Sequence, residues 1–219
     1  MTTSAHTPGR VAADWYFDFI SPFAYLQLEQ FDRLPQSLSI TLCPVVLGAL
    51  LTHWQTRGPA EIPEKRRFIY RYAQFRAEQL GIPFKMPPEH PFNPIKALRL
   101  AIALGCTKRA VREIFRYIWR DGRSFSSDED WQNLCRRLEI ENADQAIAVP
   151  EVKDQLRENT ERAVSLGVFG VPSFAVGQDL FWGEDATDLL IRCVESPDWL
   201  RSAELRRISD LPVGIQRKV

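Results

Sequence analysis

The sequence predicts an α/β protein in which an initial βαβ unit and a final ββα unit enclose a long, entirely helical insertion. Three patterns carry this prediction: aromatic and β-branched runs near both ends, hydrophobic residues at helical spacing between them, and strong turn residues at the junctions. The chain has 219 residues, of which 45% are hydrophobic, so it can bury a full core.

The first predicted strand and the first predicted helix meet at Ser21. Residues 14–20 (DWYFDFI) are aromatic and β-branched with rough alternation, which is typical of a buried strand. Ser21 is a good N-cap, and Pro22 suits the first position of the helix that follows. We expect this helix to end near Pro35.

A second strand and a helical block follow. Residues 39–46 (SITLCPVV) predict the strand, and Gly58-Pro59 and Pro63 are breakers that predict a loop over residues 48–63. From Glu64 to about residue 166, hydrophobic residues recur at helical spacing, which predicts about 100 residues of helix.

The C-terminal part predicts a hairpin and a last helix. Residues 173–176 and 180–182 are short apolar runs separated by Gly177-Gln178-Asp179, a typical hairpin turn, and Asp185 is the predicted start of a helix that runs to Val194. Two parallel strands beside an antiparallel hairpin form a thioredoxin-like topology, with a right-handed crossover in the βαβ unit.

These elements predict a discontinuous domain organisation. The thioredoxin-like domain covers residues 13–47 and 167–200, and the helical insertion covers residues 48–166. Residues 1–12 are expected to be a disordered N-terminal tail, and residues 201–219 a C-terminal tail.

Composition argues against several classes of partner. The formal net charge is zero and no basic stripe alternates with aromatic residues, so neither nucleic acid nor an anionic membrane surface is expected as a partner. Apolar runs are shorter than the roughly 18 to 20 residues needed to span a bilayer. The polar first dozen residues lack the pattern of a secretory signal, so we expect a cytoplasmic protein.

Cysteine and histidine spacing does not predict a metal site. The four cysteines lie far apart without a C-x-x-C pair, and the three histidines are scattered. We expect reduced and mostly buried thiols.

Ser21 is the first candidate site residue because it occupies the N-terminal end of the first helix. Unpaired N–H groups and the helix dipole favour an anion there, and thioredoxin-type enzymes place a reactive thiolate at this position. Here Ser21-Pro22-Phe23-Ala24 contains no sulfur, so the thiol must come from a ligand, for which glutathione is the obvious choice. A serine hydroxyl can lower the pKa of a bound thiol by hydrogen bonding to its thiolate. The alternative is that Ser21 is only an N-cap.

Val171-Pro172 is the second candidate, just before the hairpin. A cis proline would turn the backbone of Val171 outward, so that its N–H and C=O groups can pair with an extended peptide. The alternative is an ordinary trans proline that ends a loop. In the predicted topology Ser21 and Pro172 meet.

The turn at Trp182-Gly183-Glu184-Asp185 is the third candidate. Its free N–H groups can hold a γ-glutamyl carboxylate and Asp185 the ammonium group, although Asp185 can equally be a helix cap. Lys65 is a possible cation for a ligand carboxylate, and Asn93 lies in a rigid turn before a helix as a cap or substrate contact.

These segments resemble the 2-hydroxychromene-2-carboxylate isomerase family and the related kappa-class glutathione transferases over most of the chain. The resemblance is carried by FDFISPFAYL (17–26), IPEKR (62–66), HPFNP (90–94), GVFGVPSF (167–174) and LFWGED (180–185). The first and the last two of these motifs are specific as a group.

The resemblance implies a glutathione site. Ser21 would face the sulfur, the Val171 backbone beside cis Pro172 would pair with the cysteinyl unit, and Glu184 with Asp185 would lie near the γ-glutamyl end. The remaining implied contacts are Lys65 in the glutathione pocket and Phe23 and Asn93 in the substrate pocket. The chain departs from the family pattern at Ala186, where some members have arginine, and at Gln55-Thr56-Arg57, where relatives have an asparagine.

Three functions remain open at this stage. The first is a glutathione-dependent isomerase of an aromatic-catabolism intermediate, and the second is a glutathione transferase or peroxidase of the kappa type. The third is a non-enzymatic thioredoxin-like module that binds peptides. The resemblance also implies a homodimer. Phe68, Tyr72, Phe75 and Trp119 are candidate pocket walls, although a stripe at helical spacing is more often core.

Overall fold

The computed structural model describes residues 10–215. In chain order the strands and helices are β1 Val11–Phe17, α1 Pro22–Glu29, β2 Leu38–Pro44, α2 Leu47–His53, α3 Pro63–Leu80, α4 Ile95–Ala103, α5 Lys108–Phe115, α6 Asp128–Arg137, α7 Ala143–Ala148, α8 Pro150–Ser165, β3 Ser173–Val176, β4 Asp179–Trp182, α9 Thr187–Glu195 and α10 Ala203–Ser209.

The four strands form one mixed sheet in the order β2-β1-β3-β4. β1 pairs in parallel with β2 and antiparallel with β3, and β3 forms an antiparallel hairpin with β4. Helices α2 to α8 lie between β2 and β3 in the chain. The predicted fold class, a thioredoxin-like βαβ…ββα arrangement with a large helical insertion, is therefore confirmed.

The boundaries of β1 differ from the prediction at both ends. The strand begins at Val11, inside the predicted tail, whose residues 1–9 lie outside the described residues. It ends at Phe17 rather than at Ile20. The Asp18 carboxylate accepts a hydrogen bond from Ile20 N at 3.1 Å, and the Asp18 carbonyl accepts one from Ser21 N at 3.1 Å. These bonds close a turn at the end of the strand.

Helix α1 begins as the sequence predicts but ends earlier. The Ser21 hydroxyl accepts a hydrogen bond from Ala24 N at 3.2 Å, and Pro22 is the first helical residue. The helix ends at Glu29, and a separate short 3₁₀ turn over Phe31–Arg33 follows before Pro35.

The segment predicted as a loop over residues 48–63 contains structure of its own. Helix α2 occupies Leu47–His53, and a 3₁₀ turn occupies Pro59–Glu61 before α3 begins at Pro63. The spacing of Leu47, Leu50 and Leu51 is helical, and Leu50 is fully buried.

The sheet and the helical insertion share one aromatic core. The rings of Trp15 and Phe17 on β1 lie 4.7 Å apart between centroids, and both contact Phe115 of α5, at 6.2 and 5.7 Å. Trp15 also contacts Phe174 of β3 at 6.2 Å. The same rings therefore hold the sheet and the insertion together.

At the C-terminal end, the last predicted helix starts later than expected. A 3₁₀ turn occupies Glu184–Ala186, and α9 runs over Thr187–Glu195 instead of starting at Asp185. A further helix, α10, lies within the predicted C-terminal tail, of which residues 216–219 are outside the described part. Among the described residues, none of the helices has the length and apolar character required to cross a lipid bilayer.

Candidate active site

A cavity of about 900 Å³ lies where the ends of β1 and β4 meet the insertion. It is a concave, largely apolar space with a few polar groups, which is typical of a small-molecule site. The predicted site residues that line it are Ser21, Phe23, Asn93, Val171, Pro172, Glu184 and Asp185. Lys65 does not line it: this side chain is exposed on the first turns of α3, and its role stays a prediction.

Ser21 is a buried polar residue that lines the cavity. It is 6% exposed, caps α1 through Ala24 N, and donates a long hydrogen bond of 3.4 Å from Oγ to the Val171 carbonyl. The same hydroxyl thus caps the helix and faces the cavity. Its proton is held only weakly in this state, because 3.4 Å is beyond the usual range for a hydrogen bond between oxygens.

The Val171 backbone faces Ser21 across the cavity. The Val171–Pro172 peptide bond is cis, and Val171 is mostly buried. Within residues 10–215 the Val171 N–H makes no hydrogen bond, while the Pro172 carbonyl accepts one from Gly183 N at 2.9 Å. An unpaired N–H beside a weakly paired C=O is the pattern that an extended ligand backbone can complete.

The turn after β4 presents two acids with different surroundings. Asp185 is exposed at the cavity, but Glu184 is 4% exposed and its carboxylate accepts hydrogen bonds from Arg76 Nε (3.1 Å), Arg76 Nη2 (2.9 Å) and Gln30 Nε2 (2.8 Å). These partners hold the turn against α1 and α3. The structure therefore argues against a direct ligand contact by the Glu184 carboxylate, because a guanidinium and an amide already hold that buried group.

Gly183 gives the same turn its shape. Its φ of +98° lies in the region that favours glycine, and a Cβ at this position would stand 2.3 Å from Asp185 Oδ1. The absence of a side chain at Gly183 thus leaves room for the Asp185 carboxylate beside it.

Asp18 is a cavity residue that the sequence-based site prediction missed. It is 1% exposed, and its two carboxylate oxygens accept hydrogen bonds from Ile20 N and, at 2.9 Å, from Leu47 N at the start of α2. Burial raises the pKa of this carboxyl to about 7 despite the hydrogen bonds that lower it. A single acid inside the apolar motif FDFI was the signal available in the sequence.

Two rings of the insertion fix the backbone just before Ser21. His90 Nε2 lies 2.8 Å from the Ile20 carbonyl, and Trp119 Nε1 donates to the Phe19 carbonyl at 2.8 Å. The other ring nitrogen of His90 lies 2.8 Å from the Tyr70 hydroxyl. Burial lowers the pKa of His90, which favours the neutral ring.

Aromatic side chains form much of the apolar wall. Of the four candidate wall residues in the insertion, Tyr72 lines the cavity beside Phe23, at 6.0 Å between ring centroids. Phe68 and Phe75 are exposed outside it, and Trp119 is buried in the core. Phe92 and Phe169, which the sequence analysis did not propose as wall residues, also line the cavity.

The cysteines and the grouping of potential metal ligands bear on two further predictions, reduced thiols and the lack of a metal site. Cys43, Cys106, Cys135 and Cys193 are free thiols, and three of them are buried. Burial raises the pKa of Cys43 to about 12 and that of Cys106 to about 11, so neither is a thiolate at neutral pH. Residues 10–215 contain no cluster of three or more histidine, cysteine or acidic side chains suited to a metal ion.

Known proteins similar to this chain carry two kinds of name. "Glutathione s-transferase kappa 2" of Caenorhabditis elegans is 26% identical over 181 residues, which cover 75% of this chain and 80% of that protein. "2-hydroxychromene-2-carboxylate isomerase" of Pseudomonas sp. (strain C18) is 26% identical over 191 residues, covering 84% and 90%. The predicted resemblance is confirmed, and both of these relatives are enzymes by name.

Solved structures and a family model agree on the fold. The structure of a 2-hydroxychromene-2-carboxylate isomerase superposes with a TM-score of 0.69 at 20% identity, over 92% of this chain and all of that one. The cytosolic disulfide reductase DsbM from Pseudomonas aeruginosa with GSH superposes with a TM-score of 0.53 at 18% identity, over 92% and all of that chain. The model described as "DSBA-like thioredoxin domain" matches residues 12–193. The chain therefore belongs to the family of DsbA-like thioredoxin domains.

Proposed function

We propose that this protein is a glutathione-dependent isomerase of an aromatic-catabolism intermediate. An example of such a reaction is the conversion of 2-hydroxychromene-2-carboxylate to trans-o-hydroxybenzylidenepyruvate. One observation carries the proposal: the Ser21 hydroxyl, at the N-terminal end of α1, faces the Val171 backbone in a cavity whose described lining includes no cysteine. A site with this architecture and no sulfur of its own needs a thiol from a ligand. The relatives named isomerase and kappa transferase support glutathione as that ligand.

The residues of the cavity fit the tripeptide in three places. The unpaired Val171 N–H and the adjacent carbonyl can pair with the cysteinyl unit, which brings its sulfur next to Ser21. The Gly183 turn offers N–H groups for the γ-glutamyl carboxylate, and Asp185 offers a carboxylate for the ammonium group.

The chemistry follows from what each group does. Bound glutathione supplies a thiol whose sulfur adds reversibly to a conjugated double bond and allows rotation about it. Ser21 donates a hydrogen bond to the thiolate, and the N-terminal end of α1 adds a favourable field. Phe23, Tyr72 and Phe92 exclude water and pack against the aromatic substrate. Because water is excluded, the electrostatic interactions of the sulfur with Ser21 and with the end of α1 become stronger.

The second candidate is a kappa-like transferase or peroxidase, which the relatives of that name favour. The two candidates separate when turnover of 2-hydroxychromene-2-carboxylate is followed together with the glutathione concentration. An isomerase converts the substrate while glutathione stays constant. A transferase or peroxidase consumes one or more glutathione molecules per turnover.

Ser21→Ala tests the role of the hydroxyl. We expect turnover to fall by about 10²- to 10³-fold, which is typical for the loss of one donor to an oxyanion-type charge. Ser127→Ala is a matched control, because Ser127 caps α6 through Asp130 N at 3.1 Å in the same way but does not line the cavity. An unchanged rate in Ser21→Ala, or an equal loss in both variants, would exclude the proposal.

Homodimer formation and a cytoplasmic location complete the proposal, and both rest on the resemblance. Sedimentation of the purified chain tests the first, since a monomer at micromolar concentration contradicts it. Lys65 and Asn93 are kept as secondary contacts, to be tested by the effect of alanine substitution on glutathione and substrate KM.

A further inference from the structure

The cavity contains a buried carboxyl that the proposed function leaves without a role. Asp18 lies three residues before Ser21 in the same turn, and its carbonyl accepts the hydrogen bond from Ser21 N. Its side chain is almost completely buried at the cavity. A buried carboxylate without a cationic partner is costly to keep, so a structural role alone is a weak explanation for it.

The hydrogen bonds of Asp18 leave part of the carboxylate open. Ile20 N donates to one oxygen and Leu47 N to the other, and Phe19 N is a third backbone donor to the group, whereas an ionised carboxylate has about four acceptor positions. No lysine or arginine within residues 10–215 contributes to the pKa of this group, which responds only to burial and to backbone N–H donors. The carboxylate therefore has room for a proton and no charge that holds it ionised.

The other titratable groups at the cavity are less suited to accept a proton. Glu184 is held by Arg76 and Gln30, and both ring nitrogens of His90 have partners within 2.8 Å. Arg57 and Tyr72 offer hydrogen-bond donors, whereas the carboxylates of Glu61 and Asp185 are exposed to solvent. The full set of titratable side chains that line the cavity with Asp18 is Arg57, Glu61, Tyr72, His90, Glu184 and Asp185.

We propose that Asp18 is the proton acceptor for the thiol bound at Ser21. This inference rests on the proposed use of glutathione. The S–H bond breaks, its electron pair stays on sulfur, and the proton passes to a carboxylate oxygen of Asp18, directly or through one water molecule. When the sulfur leaves the substrate, the proton returns to it, so nothing is oxidised or reduced and no proton is lost to solvent.

Proton sharing is also the electrostatically favoured arrangement. A thiolate and an ionised Asp18 in one apolar cavity repel each other, so the pair holds one proton over a wide range of pH. The Ser21 hydroxyl then decides where that proton lies, because it stabilises the charge on sulfur.

The test counts protons rather than turnover. Glutathione is added to the whole protein in weakly buffered solution with a pH indicator, while ultraviolet absorbance measures the thiolate formed. We expect about one proton released per thiolate near pH 6, where Asp18 is already protonated, and almost none near pH 8, where it is ionised. A ratio that stays near one over this range would overturn the proposal.

Two variants make the measurement specific. In Asp18→Asn the ratio should stay near one throughout, because the proton has only solvent to go to. Asp14→Asn is the matched control on the preceding strand, β1: Asp14 accepts a hydrogen bond from Arg162 and does not line the cavity, so this variant should follow the wild type. If Asp18→Asn does not fold, the pH dependence of the proton-to-thiolate ratio in the wild type still tests the proposal.

The outcomes also separate the two proposals. A wild-type protein that forms no thiolate contradicts both the glutathione site and the role of Asp18. A protein that forms a thiolate, loses it in Ser21→Ala and yet releases one proton at every pH supports the site but excludes Asp18 as the acceptor.

Discussion

Two buried carboxylates lie at the same cavity, and they differ in what surrounds them. Glu184 is 4% exposed and accepts hydrogen bonds from the Arg76 guanidinium and the Gln30 amide. Asp18 is 1% exposed and accepts only from backbone N–H groups. Burial is nearly equal, so the difference in behaviour comes from the partner.

Backbone N–H donors alone do not offset the burial of Asp18 in this protein. Burial therefore raises the pKa of Asp18 to about 7. Glu184 is therefore suited to fix a turn, and Asp18 to exchange a proton. The comparison shows how one cavity wall combines a rigid part with a titratable part.

The largest effect is expected when Glu184 is truncated. Glu184→Ala leaves Arg76 without its anion, and the Arg76 side chain is only 23% exposed. We expect a loss of about 3 kcal/mol in the free energy of unfolding, near the low end for a broken buried pair because Arg76 is partly solvated. Urea denaturation measures it, with Glu184→Gln as the milder variant that keeps an acceptor. A loss below about 1 kcal/mol would show that the pair does not fix the turn.

Asp18 is expected to show its effect in the pH dependence of stability. Its pKa is raised on folding, so protonation stabilises the folded state, and this contribution is lost as pH rises through the folded pKa of about 7. The wild type should therefore lose about 2 kcal/mol between about pH 5.5 and about pH 8 relative to Asp18→Asn.

Denaturant titrations at several pH values measure this difference, and Asp14→Asn is the control. His90 titrates in both proteins, so its contribution cancels in the comparison. Equal pH slopes in wild type and Asp18→Asn would mean that Asp18 is ionised in the folded state at all of these pH values.

The contrast between the two acids also shows what a sequence can predict. Ser21 as a helix cap and the hairpin over residues 173–182 depend on local chemistry, and both were predicted from neighbouring residues. The partner of Glu184 lies 108 residues away on α3, and no local pattern indicates it. The Glu184 side chain lines the cavity, and the sequence analysis could not anticipate that Arg76 holds it.

Asp18 shows a second kind of limit. Its place in an aromatic run predicted that it continues a strand to Ile20, yet its own side chain caps the turn that ends the strand at Phe17. Its carboxylate also accepts a hydrogen bond from Leu47 N at the start of α2, a helix in a segment that the sequence analysis predicted to be a loop. Because the contact between Asp18 and the start of α2 was not predicted, neither the turn nor the titratable group was predicted.

Gly183 tests the turn that Glu184 holds. Gly183→Ala introduces a side chain at a φ of +98°, with its Cβ 2.3 Å from Asp185 Oδ1. We expect a loss of about 1.5 kcal/mol in the free energy of unfolding, typical of backbone strain in this region. Calorimetry should also show weaker glutathione binding, since Asp185 must move. Gly177→Ala, with a positive φ but open space around the Cβ, is the control for strain without displacement.

The smallest effect is expected from the exposed end of the same network. Arg33 donates to Gln30, the neighbour of Glu184, and also pairs with Asp188, but the Arg33 and Asp188 side chains are 48% and 78% exposed. Solvent screens such a pair, so Asp188→Asn should change the free energy of unfolding by no more than about 0.5 kcal/mol. Chemical denaturation at low and high salt measures this change. A loss close to that of Glu184→Ala would mean that the network acts as one unit from α9 to α3, and that the stability of the Glu184 turn does not come from the buried Arg76 contact alone.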